Sequence, residues 1–268
     1  MENSIEELRY MESSLNSLSG VQHVHDKSYE ILFVLEGEGS MLIGNNLYSV
    51  TKNTVFLTAK TEIHNITPIS KNYVRDILNI NDEYVEKLTK LTNSEDLIKN
   101  LFSKRCIRLT DDAAERIKVL FSQIKKALES RENKGIQILL HLLNLFELLL
   151  NTEASDVSAL NNAVSKAVSY IDKNLSSPLS LEMICEHVHL SKYHFSRIFR
   201  EKTGMSPFGY IIECRISKAK KLLTGTNDTI SNIAVAVGFS TSSNFCNTFR
   251  KYEKISPTEF RIRNTINQ

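Results

Sequence analysis

The chain has 268 residues, of which 41% are apolar and 24% charged, with a formal net charge of +2. That length and balance suit a globular protein of two domains. Cys106, Cys185, Cys214 and Cys246 are far apart and form no C-x-x-C pair, which argues against a disulfide framework or a zinc finger and for free thiols in a reducing cytoplasm.

The N-terminus, Met1-Glu2-Asn3-Ser4-Ile5-Glu6-Glu7, is acidic and lacks a secretory apolar run. Residues 20–70 show short β-rich runs separated by turn signals. Tyr29 to Leu35 is aromatic and β-branched and ends at Glu36-Gly37-Glu38-Gly39. Ser40-Met41-Leu42-Ile43 and Leu47-Tyr48-Ser49-Val50 flank Gly44-Asn45-Asn46, where a hairpin turn with positive φ at Gly44 and Asn45 is expected. Val55-Phe56-Leu57 is a further strand. Strands at this spacing point to a small β-barrel or sandwich.

From about Asp82 the period becomes helical. Ile117, Leu120, Phe121, Ile124 and Leu128 form one apolar stripe, with Asp111-Asp112 where a helix N-terminus favours negative charge. After Gly135, Ile136 to Leu150 is apolar around most of a helix circumference. It is too short to span a bilayer and includes Gln137, His141, Asn144 and Glu147. Such a helix is buried on more than one side, either in the core alone or also in a dimer interface. His141 is expected to be a satisfied core group. Residues 151–159 are polar and aperiodic and are taken as a linker. Ala163, Val164, Ala167, Val168 and Ile171 then open the second domain. The expected organisation is therefore 1–150, with a dimerising helical segment at about 111–150, a linker at 151–159, and 160–268.

Charge divides along the same line. Residues 158–268 hold 15 Lys+Arg against 8 Asp+Glu, a net of +7, and the remainder holds 18 against 23, a net of −5. A basic C-terminal part suits a polyanionic partner.

That part contains one unit twice, fifty residues apart. Ser191-Lys192-Tyr193-His194-Phe195-Ser196-Arg197-Ile198-Phe199-Arg200 aligns with Thr241-Ser242-Ser243-Asn244-Phe245-Cys246-Asn247-Thr248-Phe249-Arg250. A short apolar helix pattern precedes each (Leu181 to Val188, Ile230 to Val237), and a Ser-Pro pair follows each (Ser206-Pro207, Ser256-Pro257). Two helices about a tight turn form a helix-turn-helix. Phe195, Ile198 and Phe199 face the core. Tyr193, Ser196, Arg197 and Arg200 form the neighbouring stripe, and Ser243, Cys246, Asn247 and Arg250 take the same places in copy two. Arg197 suits guanine O6 and N7, and Asn247 suits adenine N6 and N7. Lys192, Lys202, Arg250 and Lys251 suit phosphate contacts. Between the copies, Pro207 to Leu222 is an apolar helical spacer including Phe208. At about 1.5 Å per residue it forms a rod of roughly 24 Å. With its turns it suits the ~34 Å of one DNA turn.

Ala234-x-x-x-Gly238-Phe239-Ser240, Phe245-x-x-x-Phe249-Arg250-Lys251 and Ser256-Pro257-x-x-Phe260-Arg261 resemble the signature of the AraC/XylS family of bacterial transcription regulators. Copy one matches through Ser191, Phe195, Arg197, Phe199, Gly204, Ser206 and Pro207, so the resemblance covers about residues 160–263. It implies base contacts from Tyr193, Ser196 and Arg197, and from Ser242, Ser243 and Asn247. Two positions depart from the pattern: Lys254 stands where the family usually has Gly, and Cys185 where it has Ala.

His23-Val24-His25, Glu30 and Gly37 are spaced like the first cupin motif, and His64-Asn65 resembles part of the second. The family commonly carries a cupin-like barrel for a small effector. The resemblance therefore implies an effector pocket near His23, His25, Glu30 and His64, which are pocket-lining groups or, alternatively, metal ligands. No cofactor is implied, and no nucleophile-and-base pairing is found. The fold expected is α+β: an N-terminal cupin-like β-barrel with a helical dimerisation segment, then an all-α tandem helix-turn-helix domain. The function expected is a cytoplasmic, effector-controlled transcription regulator, an activator. It would be a homodimer on double-stranded promoter DNA, working with RNA polymerase and having no membrane partner. The alternatives are control by a protein partner without a ligand, or a metal-dependent cupin enzyme fused to a DNA-binding domain.

Overall fold

In the computed structural model, residues 9–14, 28–94, 96–130, 134–153 and 163–265 are described. The class is α+β, and the chain divides into two compact units with the main boundary between Ala159 and Leu160.

The N-terminal unit contains β1 (Arg9–Ser14), β2 (Ser28–Glu36), β3 (Gly39–Ile43), β4 (Asn46–Val50), β5 (Thr54–Thr58), β6 (His64–Pro68), β7 (Val74–Asn81) and β8 (Cys106–Arg108). Helices α1 (Asp82–Thr92), α2 (Leu97–Ser103), α3 (Asp111–Glu129) and α4 (Lys134–Asn151) complete it. The strands form a five-stranded sheet, β1-β7-β2-β5-β8, and a three-stranded sheet, β4-β3-β6. Strand β2 explains the layering, because successive side chains alternate between its faces. Ile31 and Phe33 pack beneath the helices with Ile117, Phe121, Leu142 and Phe146. Leu32 and Val34 pack in a second core with Met41, Ile43, Phe56 and Tyr73.

Three expectations about strands need correction. Strands β1, β7 and β8 lie outside residues 20–70, and β8 falls within the segment read as helical. Cys106 pairs with Phe56 and Ile107 with Val55, so edge pairing overrides the local pattern. In the β3–β4 turn only Gly44 has positive φ (+56°), which is the glycine-first form of a two-residue hairpin rather than one with both residues left-handed.

Thr110 caps α3 by accepting a hydrogen bond from the Ala113 amide. On α4, Ile138, Leu142, Leu145, Phe146 and Leu149 are buried. Ile136 and Leu140 on the same helix remain 70% and 54% exposed, so one apolar edge is uncovered within the chain. The Lys104 ammonium donates to the carbonyls of Leu149 (3.0 Å), Leu150 (2.5 Å) and Thr152 (2.6 Å), placing a cation at the negative end of α4. His141 is half-buried, and its Nδ1 is buried with no hydrogen-bond partner, contrary to the expectation of a satisfied group. No helix of the described residues is long and apolar enough to cross a membrane.

The C-terminal unit is all helical: α5 (Ala163–Lys173), α6 (Leu181–Val188), α7 (Lys192–Thr203), α8 (Pro207–Gly225), α9 (Ile230–Ala236), α10 (Ser242–Glu253) and α11 (Pro257–Thr265). Ser206 and Pro207 start α8 as N-cap and first-turn residues, Ser206 Oγ accepting from the Gly209 amide. Ser256 and Glu259 start α11 reciprocally: the Ser256 amide donates to Glu259 Oε2 (2.7 Å), and the Glu259 amide donates to Ser256 Oγ (3.2 Å).

Candidate functional site

Each reading helix is fixed from both ends and from behind. Ser191 caps α7, accepting from the His194 amide, and Thr241 caps α10, accepting from the Asn244 amide. Phe195 and Phe199 pack as tilted rings 5.3 Å apart between centroids, and Phe199 meets Tyr210 of α8 at 5.6 Å. Phe245 and Phe249 pack edge-to-face at 5.6 Å, and Phe249 meets Phe260 of α11 at the same separation. All four phenylalanines are fully buried. Ile198 of the expected core stripe is only half-buried.

This burial turns the opposite stripes outward. Tyr193 is 83% exposed. Arg197 and Arg200 are exposed and Ser196 is half-buried; in copy two Ser243, Asn247 and Arg250 are exposed and Cys246 is half-buried. Arg197 donates from Nη1 to Glu201 Oε1 (2.7 Å), and its other terminal nitrogen lies 3.4 Å from His194 Nδ1. Lys251 is exposed and Lys202 half-buried.

The two candidates at the first position of each helix are engaged within the protein. Lys192 pairs with Glu182 of α6, whereas Ser242 donates to Ser231 of α9 (3.0 Å). These links occupy equivalent places in the two copies, an ion pair in one and a hydroxyl pair in the other. Sequence reading missed Glu182 and Ser231 as partners; they correspond at an offset of 49, that of the Ser180 and Thr229 caps, one short of the fifty that relates the reading helices.

The turns also correspond. His189 (φ +55°) follows α6 and Gly238 (φ +93°) follows α9; Gly204 (φ +73°) ends α7 and Lys254 (φ +64°) ends α10. Lys254 therefore holds the left-handed conformation that its departure from the family pattern implies. Gly238 also meets a close approach, since a Cβ there would lie 2.4 Å from the Leu175 carbonyl oxygen and 3.0 Å from Arg215 Nε. Helix α8 holds both copies. Arg215 donates to the Leu175 (3.2 Å) and Ser177 (3.0 Å) carbonyls, while buried Lys220 pairs with Glu253 of α10 at 3.1 Å. Burial, and then the neighbouring Glu253, push the Glu213 carboxyl up to about 7 against the pull of Lys220.

In the N-terminal unit, β-register builds a polar end to the space between the sheets. Glu30 lies opposite Asn79 on one side and Thr58 on the other, so the three share a face. His64 is 3.6 Å from Glu30, from its Nε2 to Oε1, and its Nδ1 is 3.0 Å from the Glu62 carbonyl, which requires the proton on Nδ1. Burial opposes charge on His64, but Glu30 and the Glu62 carbonyl outweigh it and raise its pKa. Thr58 Oγ1, Asn79 Oδ1 and the Tyr73 hydroxyl are buried with no hydrogen-bond partner. Glu30 and His64 are thus brought together, and Thr58, Tyr73 and Asn79 join them. Thr58 and Asn79 carry no motif and are found only through register, and Tyr73, just before β7, carries no motif either. His23 and His25 lie outside the described residues. Among the described residues, no group of three or more His, Cys, Asp or Glu is placed to hold a metal ion.

Two phased helix-turn-helix units in a basic helical unit, in a chain that also carries a two-sheet unit with a polar end between its sheets, define a DNA-binding transcription regulator. Residues 18–162 match the AraC-like ligand binding domain and residues 184–263 match a helix-turn-helix domain, and the chain belongs to the AraC family. It is 26% identical over 250 residues to the HTH-type transcriptional activator RhaR of Mannheimia succiniciproducens, covering 90% of this chain and 87% of that one. The HTH-type transcriptional activator Btr of Bacillus subtilis is 24% identical over 217 residues, covering 79% and 40% respectively. A solved AraC-type regulator from Chromobacterium violaceum is 33% identical, covering 38% of this chain and 91% of that one, with a TM-score of 0.36. The chain is a transcription regulator.

Two predictions follow from these geometries. Gly238→Ala should lower the stability of the full-length protein by roughly 2 kcal/mol or more, and Lys254→Gly should raise it by about 1 kcal/mol, both read from urea unfolding midpoints. The His64–Glu30 pair should add stability that is fully present below the unfolded histidine pKa of about 6.5 and lost as pH rises through the raised folded value. Calorimetric scans from acid to alkaline pH should show that slope, and His64→Gln should remove it; an unchanged slope would assign the loss to other groups.

Proposed function

We propose that the regulator binds promoter DNA through both reading helices in successive major grooves, as an activator working with RNA polymerase in the cytoplasm. The observation that carries this is the matched rotation of α7 and α10, each with its phenylalanine pair inward and its hydrogen-bonding stripe outward. Tyr193, Ser196 and Arg197, with Ser242, Ser243 and Asn247, read bases; Lys192, Arg200, Lys202, Arg250 and Lys251 contact phosphates. Copy one, with Arg197, dominates specificity. Arg197 exchanges Glu201 for guanine on binding, and Lys192 exchanges Glu182 for phosphate.

Residues 1–150 bind a small-molecule effector and pair the chains, 151–159 link, and 160–268 bind DNA. The effector lies between the sheets against Glu30, His64, Thr58 and Asn79; His23 and His25, outside the described residues, are further candidates to contact it. The buried, unpartnered oxygens support this, because such groups are costly unless something satisfies them. Pairing uses the uncovered edge of α4 at Ile136 and Leu140, and the activator names of the RhaR and Btr relatives support the direction of control.

Arg197→Ala should weaken specific binding by about 1–3 kcal/mol and relax one base position, whereas Lys251→Ala should mainly reduce the salt slope, by about one. Gel-shift titrations on specific and random duplexes check both; equal loss on the two duplexes for Arg197→Ala would remove it as a base reader. Native mass spectrometry of the full-length protein should show a dimer carrying a small organic adduct, with Leu140→Asp shifting it to monomer. A dimer indifferent to that change would place the interface elsewhere.

A further inference from the structure

Phe208 belongs to the apolar spacing of α8, yet it is 71% exposed rather than packed. It stands at the mouth of a cleft of about 540 Å³ in copy one, within the ~300–1,000 Å³ typical of small-molecule sites. Leu181 and Ile184 of α6 and Ile211 of α8 supply apolar lining, and Arg197 and Arg200 of α7 supply charge; no Asp or Glu lines it. The Arg200 guanidinium has no hydrogen bond or ion pair among the described residues, whereas Arg197 is held by Glu201. One guanidinium without such a pair, beside a second that Glu201 holds, over an apolar floor complements an anion that has an apolar body.

Copy two shows that helix-turn-helix packing does not impose this chemistry. At the repeat offset of fifty, Phe208 corresponds to Thr258 and Ile211 to Arg261. Arg261 there donates to the carbonyls of Leu223 (3.2 Å) and Asp228 (2.6 Å), so a bridging guanidinium stands where copy one has an open apolar wall. The remaining lining of the cleft is the outward stripe of α7, including Tyr193 and Ser196.

We propose that this cleft binds a small organic anion, a carboxylate or sulfonate on an aromatic or branched apolar body, and that its occupancy and groove reading by α7 exclude each other. The exclusion rests on α7 being a reader; the binding does not. A DNA phosphate alone does not explain the cleft, since it has no apolar body to cover Leu181, Ile184 and Ile211. The site is separate from the polar end of the β half, so the chain would answer to two chemically different small molecules.

The test uses full-length protein and the fluorescent aromatic anion anilinonaphthalene sulfonate. One dye should bind per chain in this cleft, and a duplex selected by the protein from a random-sequence pool should displace it. Phe208→Glu, at an exposed position, should weaken dye binding by at least about tenfold by removing an apolar contact and adding like charge. Phe208→Ala, which adds no charge, should weaken it less, and melting curves should show both variants folded. No dye binding, or binding indifferent to both variants, would overturn the site. Dye lost in Phe208→Glu but retained by the wild-type protein alongside bound duplex would overturn the exclusion and count against α7 as a reader, leaving the site in place.

Discussion

The DNA-binding half depends on two pairs of buried phenylalanines, Phe195 with Phe199 and Phe245 with Phe249. Residues four apart lie on one face of a helix, so burying both members fixes its rotation about its own axis. Everything proposed for Tyr193, Arg197, Ser243 and Asn247 follows from that rotation, because they occupy what is left outside. Capping by Ser191 and Thr241 fixes where each helix begins. The links Glu182–Lys192 and Ser231–Ser242 fix it against its partner helix. The cores are thereby alike while the outward faces differ, cationic and aromatic in copy one and mostly hydroxyl and amide in copy two.

The N-terminal half solves a different problem. A strand buried on both faces must satisfy two cores, and β2 does so by alternation, with Ile31 and Phe33 toward the helices and Leu32 and Val34 toward the opposite sheet. Glu30 continues the second set, so its carboxylate enters the space between the sheets. His64 from the facing sheet, with its Nδ1 proton anchored on the Glu62 carbonyl, meets that charge at 3.6 Å. An interior with an ion pair and neighbouring unpartnered oxygens is poorly adapted to being a closed core and well adapted to enclosing something polar.

Much of this was legible in the sequence, for identifiable reasons. The helix-turn-helix copies were readable because repetition supplies an internal control: the same spacing of Phe195 and Phe199 recurs fifty residues on. Lys254 could be assigned a left-handed turn because Gly204 occupies the equivalent place. The β half was less legible. Strand β8 is three residues long and owes its existence to β5 rather than to its own pattern. Thr58 and Asn79 join Glu30 only through cross-strand register, which no local periodicity encodes. Phe208 misled for the opposite reason: it fits the helical apolar period, but its own side chain is exposed while Tyr210, Ile211 and Ile212 beside it are buried. The repeat offset contained the contrast with Thr258 and Arg261, yet its meaning needed the bridging geometry of Arg261.

Helix α8 reaches both copies, meeting Phe199 through Tyr210 at one end and pairing with Glu253 through Lys220 toward the other. A continuous helix transmits rotation as well as distance. Inserting a single residue into it would advance the second reader by about 1.5 Å and turn it by roughly 100°. On the proposed reading of DNA by both helices, such a change would aim Asn247 away from the groove that Arg197 still faced. Point substitutions on the outward stripes can therefore explore new operators one base at a time, whereas length changes in α8 cannot be tolerated singly. Binding sites of proteins sharing this connector should accordingly diverge in sequence far more readily than in the spacing of their two halves.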